Sequence, residues 1–495
     1  PAGRPASGPV APAVRAVRVA VVASAVAVLA AALAGVGMQA TYGAQVTADE
    51  PQYLLTALSL VDDGDLDIAD ERASGIWRDF HRVDLPEQSL VQPDGSRLSP
   101  HNPLLPALLA GPIVVGTALG LPAWVAAKVS LALLAAMLAG ITVWTAVRRF
   151  GVPAVPAAAV VTVLGCSPPL SVYATQLYPE LPAALAVAVA VAALTGPRAG
   201  PWSIASATAA VIALPWLAVK YVPVAVVLAG WTLRRAGGRL RAVAAALVQA
   251  AAAATYLAFN QLVYGGWTPY AAGDFFAAGE LTAVGPDPDY AGRTQRLLGL
   301  LVDREFGLVP WQPAWLLLPV ALGALVVTRG RRAVGPATPW LLAVLAAGWA
   351  TATWVAQTMH GWWWPGRQLV VVLPVAVLLV AVWVGRSRPR AAVVVCLGAL
   401  GVAAHAALVL RTTGSDPAHT LVVDFATTPY PGYQVLRALT PALIAPTAWT
   451  AWSYASWAVT TTGLVLAGAL TARRDGRRDG HTADRGLSRS TSSVS

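Results

Sequence analysis

The stretch AWVAAKVSLALLAAMLAGITVWTAVRR, residues 123–149, contains one charged side chain, Lys128, before it ends in Arg148 and Arg149. About 20 apolar residues suffice to cross a bilayer as a helix, and the basic end of a span favours the cytoplasm. The rest of the chain follows the same pattern: of its 495 residues, 57% are hydrophobic and 12% charged. So few charges cannot cover the surface of a soluble protein. The composition therefore excludes a soluble enzyme and predicts an all-α, polytopic membrane protein.

Charge segregation sets the expected topology. A topology with both termini in the cytoplasm puts 22 of the 34 Lys and Arg residues inside and 21 of the 24 Asp and Glu residues outside. The run 103–120 is then expected to lie at the outer interface, because a crossing there would export Arg148 and Arg149. The first run could be a signal peptide, but its length favours a retained span. The twelve predicted spans lie near residues 14–40, 123–147, 153–172, 180–196, 202–217, 221–233, 241–262, 306–328, 337–357, 368–385, 391–411 and 450–472.

This topology gives one membrane domain, residues 14–472, without a large soluble domain. The N-terminus, 1–13, and the tail, 473–495, are expected to be disordered and cytoplasmic. The net charge of +10 is then a topology signal and does not indicate nucleic-acid binding. Cys166 and Cys396 lie in apolar runs and are expected to be small buried hydrophobes. The outer face carries the three substantial loops, 41–102, 263–305 and 412–448, and chemistry is expected there.

The first outer loop begins with Thr47-Ala48-Asp49-Glu50-Pro51-Gln52-Tyr53. Apolar residues at 54, 57, 58 and 61 share a helix face, which predicts a short amphipathic helix on the membrane surface that ends before Gly64. One interpretation of Asp49 and Glu50 is capping, because Thr47-x-x-Glu50 has the form of a capping box. The other is a base that activates a hydroxyl at the lipid–water interface. The two roles are compatible.

Three further charged residues have both a structural and a functional interpretation. Glu180, at the mouth of an apolar run, either caps a helix or takes part in catalysis. Lys220, one of two lysines in the chain, either reaches to the interface or binds a donor phosphate. Arg304, between Asp303 and Glu305, either belongs to a salt-bridge cluster or meets a phosphate through its planar guanidinium.

The segment His360-Gly361-Trp362-Trp363-Trp364-Pro365-Gly366-Arg367 is expected on the same face. Its tryptophans fit an aromatic belt at the headgroups, but three in a row also suit a sugar ring or a prenyl chain. Arg367 is a candidate phosphate ligand.

The acid-rich stretch 62–71 could hold Ca²⁺, but it lacks the spacing of an EF-hand loop. A solvated turn is the favoured interpretation, so we assign no metal ligand or cofactor from the sequence. A divalent cation stays open.

The acidic pair after the first span, the short helix and Ser99-Pro100-His101-Asn102-Pro103 before an apolar run together resemble the GT-C membrane glycosyltransferases. They are most similar to the protein-mannosyltransferase and aminoarabinose-transferase branch, whose first outer loop carries the catalytic Asp. That branch has another acid in its second outer loop, commonly Asp, where this chain has Glu180. The resemblance implies a GT-C-like fold with interfacial helices in the first loop, and transfer of a sugar from a polyprenyl-phosphate donor.

In the reaction expected from this resemblance and from the residues themselves, each candidate residue has a role. The catalytic residues would be Asp49, Glu50 and Glu180. The donor phosphate would be bound by His101, Lys220, Arg304 and Arg367. The sugar or lipid would contact Tyr53, Trp362, Trp363 and Trp364.

The expected function is inverting transfer to a glycan, lipid or protein hydroxyl on the outer face of a bacterial cytoplasmic membrane, with Asp49 as base. The preference for Arg, Ala and Val is typical of a GC-rich genome, such as that of an actinobacterium, where mannose or arabinose donors would be natural. The alternatives are a transporter or flippase of cell-envelope precursors, which should place ionisable residues deep within spans, and a non-enzymatic assembly protein.

Overall fold

A computed structural model describes residues 10–491, except 86, 270–288, 328–334, 357, 415–418, 423–427 and 429. Of residues 10–13 and 475–491 it describes the backbone alone. Parts of the second and third predicted outer loops, and the basic residues Arg329, Arg331 and Arg332, therefore lie outside the described residues.

The described chain is almost entirely helical. Its first ten α-helices are α1 (Val10–Ala34), α2 (Glu50–Asp62), α3 (Ala69–Ser74), α4 (Leu104–Ala118), α5 (Ala123–Arg148), α6 (Ala154–Gly165), α7 (Leu170–Tyr173), α8 (Glu180–Leu194), α9 (Pro201–Leu217) and α10 (Val222–Arg235). The others are α11 (Arg239–Tyr264), α12 (Tyr290–Arg293), α13 (Arg296–Val302), α14 (Leu317–Val327), α15 (Thr338–Ala350), α16 (Leu373–Val384), α17 (Arg388–Thr412), α18 (Pro431–Leu439) and α19 (Thr450–Thr491). Short 3-10 segments precede several of them, including Val219–Tyr221 before α10 and Arg367–Val372 before α16.

Seven helical segments in the described part of the chain are long and apolar enough to cross a membrane. They are Val14–Ala34, Ala123–Arg148, Arg239–Tyr264, Gly335–Val355, Arg367–Val384, Arg388–Thr412 and Thr450–Arg474. The expectation of an all-α membrane protein is confirmed at this level. The count of twelve spans and the orientation of the termini stay predictions, since several of the remaining apolar helices have only 10–17 residues.

The segment Arg367–Val384 forms the centre of the bundle, and 83% of its 18 residues are buried. It packs against α5, α6, α8, α14 and α15. The long helices α11 and α19 lie at the periphery, where their apolar side chains are left for lipid. Burial is therefore greatest in the helix that begins at Arg367, one of the candidate site residues.

Helix α19 lies against α14 at two glycines. A Cβ on Gly323 would be 1.9 Å from the carbonyl oxygen of Val465, and one on Gly468 would be 2.0 Å from that of Val320. No side chain fits at these distances, so the missing Cβ atoms allow the two backbones to approach, as is common between membrane helices.

The first outer loop is a folded unit that differs from the prediction. Residues 50–59 of α2 are all buried, and the helix packs on α4, so α2 is not an amphipathic helix on the membrane surface. Its polar face can be covered because Thr56 donates to the carbonyl of Gln52 and Ser59 to the carboxylate of Asp65. The antiparallel strands β1 (Leu90–Val91) and β2 (Arg97–Leu98) complete the loop.

Helix α4 corresponds to the apolar run expected at the interface. The segment before it carries His101, which lies 3.9 Å from Asp49. Lys128, in the second turn of α5, donates to the carbonyl of Gln45 at 2.7 Å. The segment before α4 and the second turn of α5 thus both lie beside the start of the first outer loop. That residues 103–120 do not cross the membrane stays a prediction.

Two local expectations differ from the structure. Cys166 is buried, but Cys396 is exposed on the outside of α17, so it is not a buried hydrophobe. The tail expected to be disordered from residue 473 continues α19 to Thr491. No proline interrupts residues 473–491, and extending a helix that is already nucleated adds a backbone hydrogen bond for each residue fixed.

Candidate active site

Asp49 lies at the N-terminal end of α2. Its Oδ2 accepts a hydrogen bond from Arg367 Nη2 at 2.8 Å, and its Oδ1 lies 3.9 Å from His101 Nε2. Burial alone would raise the pKa of this carboxyl, but Arg367 and His101 more than offset it and hold the pKa below its usual value. The side chain is 23% exposed. Asp49 is therefore an ionised carboxylate with one face open.

The Glu50 carboxylate accepts hydrogen bonds from two backbone amides. Its Oε2 accepts from the amide of Thr47 at 2.9 Å, and its Oε1 from the amide of Leu177 at 2.6 Å. The first bond is the Glu half of the predicted capping box, whereas the Thr47 hydroxyl donates to the carbonyl of Trp362 instead. Glu50 is fully buried and thereby ties the start of α2 to the segment that precedes α8.

The electrostatic state of Glu50 reflects this burial. Desolvation raises the pKa of its carboxyl to about 7, although Lys128 and the two backbone amides act in the opposite direction. Because the side chain is enclosed, Glu50 has no face for a substrate, and its position favours a structural role over the catalytic role expected from the sequence.

Glu180 joins two cations from distant parts of the chain. Its Oε1 accepts from Arg367 Nε at 2.9 Å and from Lys220 Nζ at 2.7 Å. Lys220 also donates to Gln368 Oε1 at 2.9 Å. Glu180 is the first residue of α8, but it makes ion pairs and does not cap the helix.

The cluster Asp49–Arg367–Glu180–Lys220 contains two carboxylates and two cations. Arg367 is in the middle, because its Nη2 donates to Asp49 and its Nε to Glu180. Arg367 is 7% exposed and Glu180 fully buried, while Asp49 and Lys220 are 23% and 22% exposed. A buried ion pair thus holds an acid and an amine at the accessible ends of the cluster.

Aromatic rings line this cluster. The Arg367 guanidinium carbon lies 3.9 Å from the ring centroid of Tyr178 and 4.9 Å from that of Trp363. The His101 ring stacks on Tyr53 with centroids 4.7 Å apart. Burial lowers the pKa of His101 further than Asp49 raises it, so the imidazole is neutral at pH 7.

Most of the residues selected from the sequence meet here. The structure brings together Asp49, Tyr53, His101, Glu180, Lys220, Trp363 and Arg367. Trp362 is 62% exposed beside them. Trp364 points elsewhere, to Trp311, with ring centroids 4.5 Å apart.

Arg304 belongs to a different group of contacts. Its guanidinium donates to the carbonyl of Thr440 at 3.2 Å, and its amide to that of Pro441 at 2.8 Å. The neighbouring Glu305 pairs with Arg437 at 2.9 Å. In this segment Glu305 forms an ion pair, whereas Arg304 bonds to backbone carbonyls. The structure does not bring Arg304 to the Asp49 cluster.

Three residues of the site were missed by sequence reasoning. Tyr178 precedes Pro179 and Glu180, and Gln368 follows Arg367, so each is next to a selected residue. Lys128 was noted only as the second lysine of the chain. Its location in the apolar run 123–147 was the available signal, because a charge buried in a span needs a partner.

The arrangement can bind an anion and accept a proton. Lys220 offers an ammonium group, and Asp49 an ionised carboxylate that is already oriented by Arg367. Glu180 Oε1 and Asp49 Oδ2 already accept hydrogen bonds from these cations.

Comparison of the chain with protein families, with curated proteins and with solved structures gives no match.

Proposed function

We propose that this protein is a membrane glycosyltransferase that moves a sugar from a polyprenyl-phosphate donor to an acceptor hydroxyl. The observation that carries the proposal is the pair of half-open groups, Asp49 and Lys220, held together by the buried Arg367–Glu180 pair. A sugar transfer of this kind needs one group for the proton and another for the phosphate, both beside a bilayer that delivers the donor.

In the proposed reaction, the acceptor oxygen forms a bond to the anomeric carbon while the bond from that carbon to the phosphate oxygen breaks. The acceptor proton goes to Asp49, and the bonding electrons leave with the lipid phosphate. Attack opposite the leaving group inverts the anomeric configuration. Negative charge grows on the phosphate in the transition state, where the Lys220 ammonium would stabilise it.

Arg367 is assigned a positioning role in this scheme. Its Nε and Nη2 donate to Glu180 and Asp49, so we assign it the role of orienting the acid. His101 and the Tyr53 ring support the other side of Asp49. Trp362 and Trp363 provide the aromatic surface for a sugar or prenyl chain.

The test uses purified full-length protein in lipid nanodiscs, with radiolabelled polyprenyl-phosphate mannose and arabinose as donors and a cell-envelope extract as acceptor. Asp49→Asn is expected to lower transfer about 100- to 10,000-fold, the range typical for loss of a general base. Asp79→Asn removes the same charge from an exposed site in the same loop and should transfer as wild type does. Unchanged transfer by the folded Asp49→Asn protein would overturn the proposal.

Lys220→Gln separates phosphate stabilisation from proton transfer. We expect it to lower the turnover number strongly and to leave the acid limb of the pH profile in place, because Asp49 keeps its bond to Arg367.

A charged cluster placed where helices begin and end also suits this function better than transport, which would use ionisable groups along the spans.

A further inference from the structure

The opposite end of α2 carries a second acidic group. After the helix ends at Asp62, the chain turns and enters α3, which brings together Asp63, Asp70 and Glu71. A carboxylate oxygen from each of the three lies within 4.8 Å of the others. Like charges at this distance repel one another unless a proton or a cation lies between them.

The two other acids of the turn have partners. Asp65 Oδ1 accepts from the Ser59 hydroxyl and from the amide of Asp67, each at 2.9 Å. Asp67 Oδ1 accepts from the amides of Ala69 at 3.0 Å and Arg97 at 2.7 Å. These bonds satisfy Asp65 and Asp67 within the chain.

Glu71 provides the independent evidence for a ligand. The residue is only 4% exposed, and its Oε2 is buried without a hydrogen-bond partner. Among the described residues, no ion pair includes Asp63, Asp70 or Glu71, and the adjacent Arg72 pairs with Glu87 at 3.3 Å. Buried carboxylates are otherwise paired, hydrogen-bonded or bound to metal.

The Glu71 carboxylate is enclosed beside the carboxylates of Asp63 and Asp70. A negative charge at this position therefore lacks compensation from the chain itself. A proton or a cation would supply it.

We propose that Asp63, Asp70 and Glu71 bind a calcium ion. Carboxylate oxygens are ligands for hard cations, and calcium accepts six to eight oxygens in flexible geometry. Asp63 and Asp70 are exposed, so water can complete the coordination shell. The site also lies at the C-terminal end of α2, where the helix dipole favours a cation.

The inferred ion would fix the turn that follows α2. Twelve residue steps separate Glu50 from Asp62, or about 18 Å along the helix, so the ion is too far from Asp49 to take part in its chemistry. Its role would be to hold the first outer loop, and it does not depend on which reaction the protein catalyses.

Isothermal titration of the EDTA-treated full-length protein in nanodiscs with calcium chloride tests this site. We expect one calcium per chain, with a dissociation constant on the order of 10⁻⁴ to 10⁻³ M, as in extracellular calcium modules. Glu71→Gln and Asp70→Asn should each weaken binding at least tenfold. Asp84→Asn, which removes an exposed acid of the same loop, should bind calcium as wild type does.

Thermal unfolding in EDTA shows whether each variant is as stable as wild type when calcium is absent. Glu71→Gln removes an uncompensated buried carboxylate and should melt no lower than wild type in EDTA. Added calcium should raise the melting temperature of wild type and of Asp84→Asn, and should raise that of Glu71→Gln much less. If Glu71→Gln melts lower than wild type in EDTA, calcium binding is instead compared between wild type and Asp70→Asn, because the side chain of Asp70 is exposed. The proposal would be overturned if wild type bound no calcium, or if both variants bound calcium as tightly as wild type does. It would also be overturned if wild type bound magnesium as tightly as calcium. None of these readouts measures sugar transfer, so this proposal and the proposed function fail separately.

Discussion

Arg367 shows at the residue scale why the identity of a cation matters. Its Nε and Nη2 donate to different carboxylates, Glu180 and Asp49, from one rigid plane. The rings of Tyr178 and Trp363 pack against the guanidinium, with centroids 3.9 Å and 4.9 Å from its central carbon. A lysine ammonium is a point charge on a flexible chain and cannot reproduce this contact of two nitrogens fixed in one plane.

Arg367→Lys is therefore expected to release Asp49. Loss of the nearby guanidinium raises the pKa of Asp49, so the acid limb of the pH profile for kcat/KM moves to higher pH. Transfer at neutral pH should fall at least tenfold. Rates measured across the pH range check this, with Arg82→Lys at an exposed position of the same loop as the control. An acid limb that stays in place would contradict the positioning role.

Glu50 gives a stability prediction with a defined sign. Its pKa is raised from 4.5 to about 7 in the folded protein, so between these values the folded state binds more protons than the unfolded state. The contribution of Glu50 to stability is then full below about pH 4.5 and is lost as the pH rises through about 7, at no more than about 1.4 kcal/mol per pH unit.

Glu50→Gln removes this proton uptake and should flatten the decline of melting temperature between pH 4.5 and 7. Melting curves in nanodiscs at several pH values measure the slope. Asp79→Asn should keep the wild-type slope. An unchanged slope in Glu50→Gln would show that another group causes it.

At the scale of elements, α2 shows where sequence reasoning reached its limit. The apolar residues at 54, 57, 58 and 61 correctly predict a helix that ends before Gly64. They do not reveal that its polar face is also covered, because that depends on hydrogen bonds such as Ser59 to Asp65 and on the packing of α4. The spacing of apolar residues indicates which face of a helix is apolar, but it does not indicate whether the opposite face is exposed to water.

The contact between α14 and α19 predicts opposite effects of two similar substitutions. Gly468→Ala puts a Cβ 2.0 Å from the carbonyl oxygen of Val320 and must push the helices apart, at a cost of about 1–3 kcal/mol. Gly463→Ala, in the same helix, meets nothing within 4 Å and should stabilise α19 by up to about 1 kcal/mol. Melting temperatures of the two variants compare them directly. Equal shifts would mean that the helices are not in close contact.

At the scale of the whole molecule, the site is built from five distant segments. Asp49, His101, Glu180, Lys220 and the start of the Arg367–Val384 segment all meet, and charge counting had placed each of them on the outer face. The sequence could predict this shared face because positive charges sort to one side of a membrane. It could not predict the pairing, since Lys128 and Gln368 acquire their partners only when particular helix ends converge.

The predicted topology can be measured independently of activity. A reporter fused after Arg149 should be cytoplasmic, and one inserted after Asp94 in the first loop should be on the outside. The segregation of Arg and Lys from Asp and Glu is the physical reason. An external signal after Arg149 would mean that residues 103–120 cross the membrane and that every later segment is inverted.

The neutrality of the Asp49–Arg367–Glu180–Lys220 cluster also affects how a substrate arrives. Its charges cancel over a few ångströms, so little field extends beyond the Debye length of about 8 Å at physiological ionic strength. Long-range electrostatic steering, which accelerates many associations in solution, would contribute little to capture. A lipid-linked donor would instead reach the site by lateral diffusion within the bilayer, and the rate of its encounter should be nearly independent of salt.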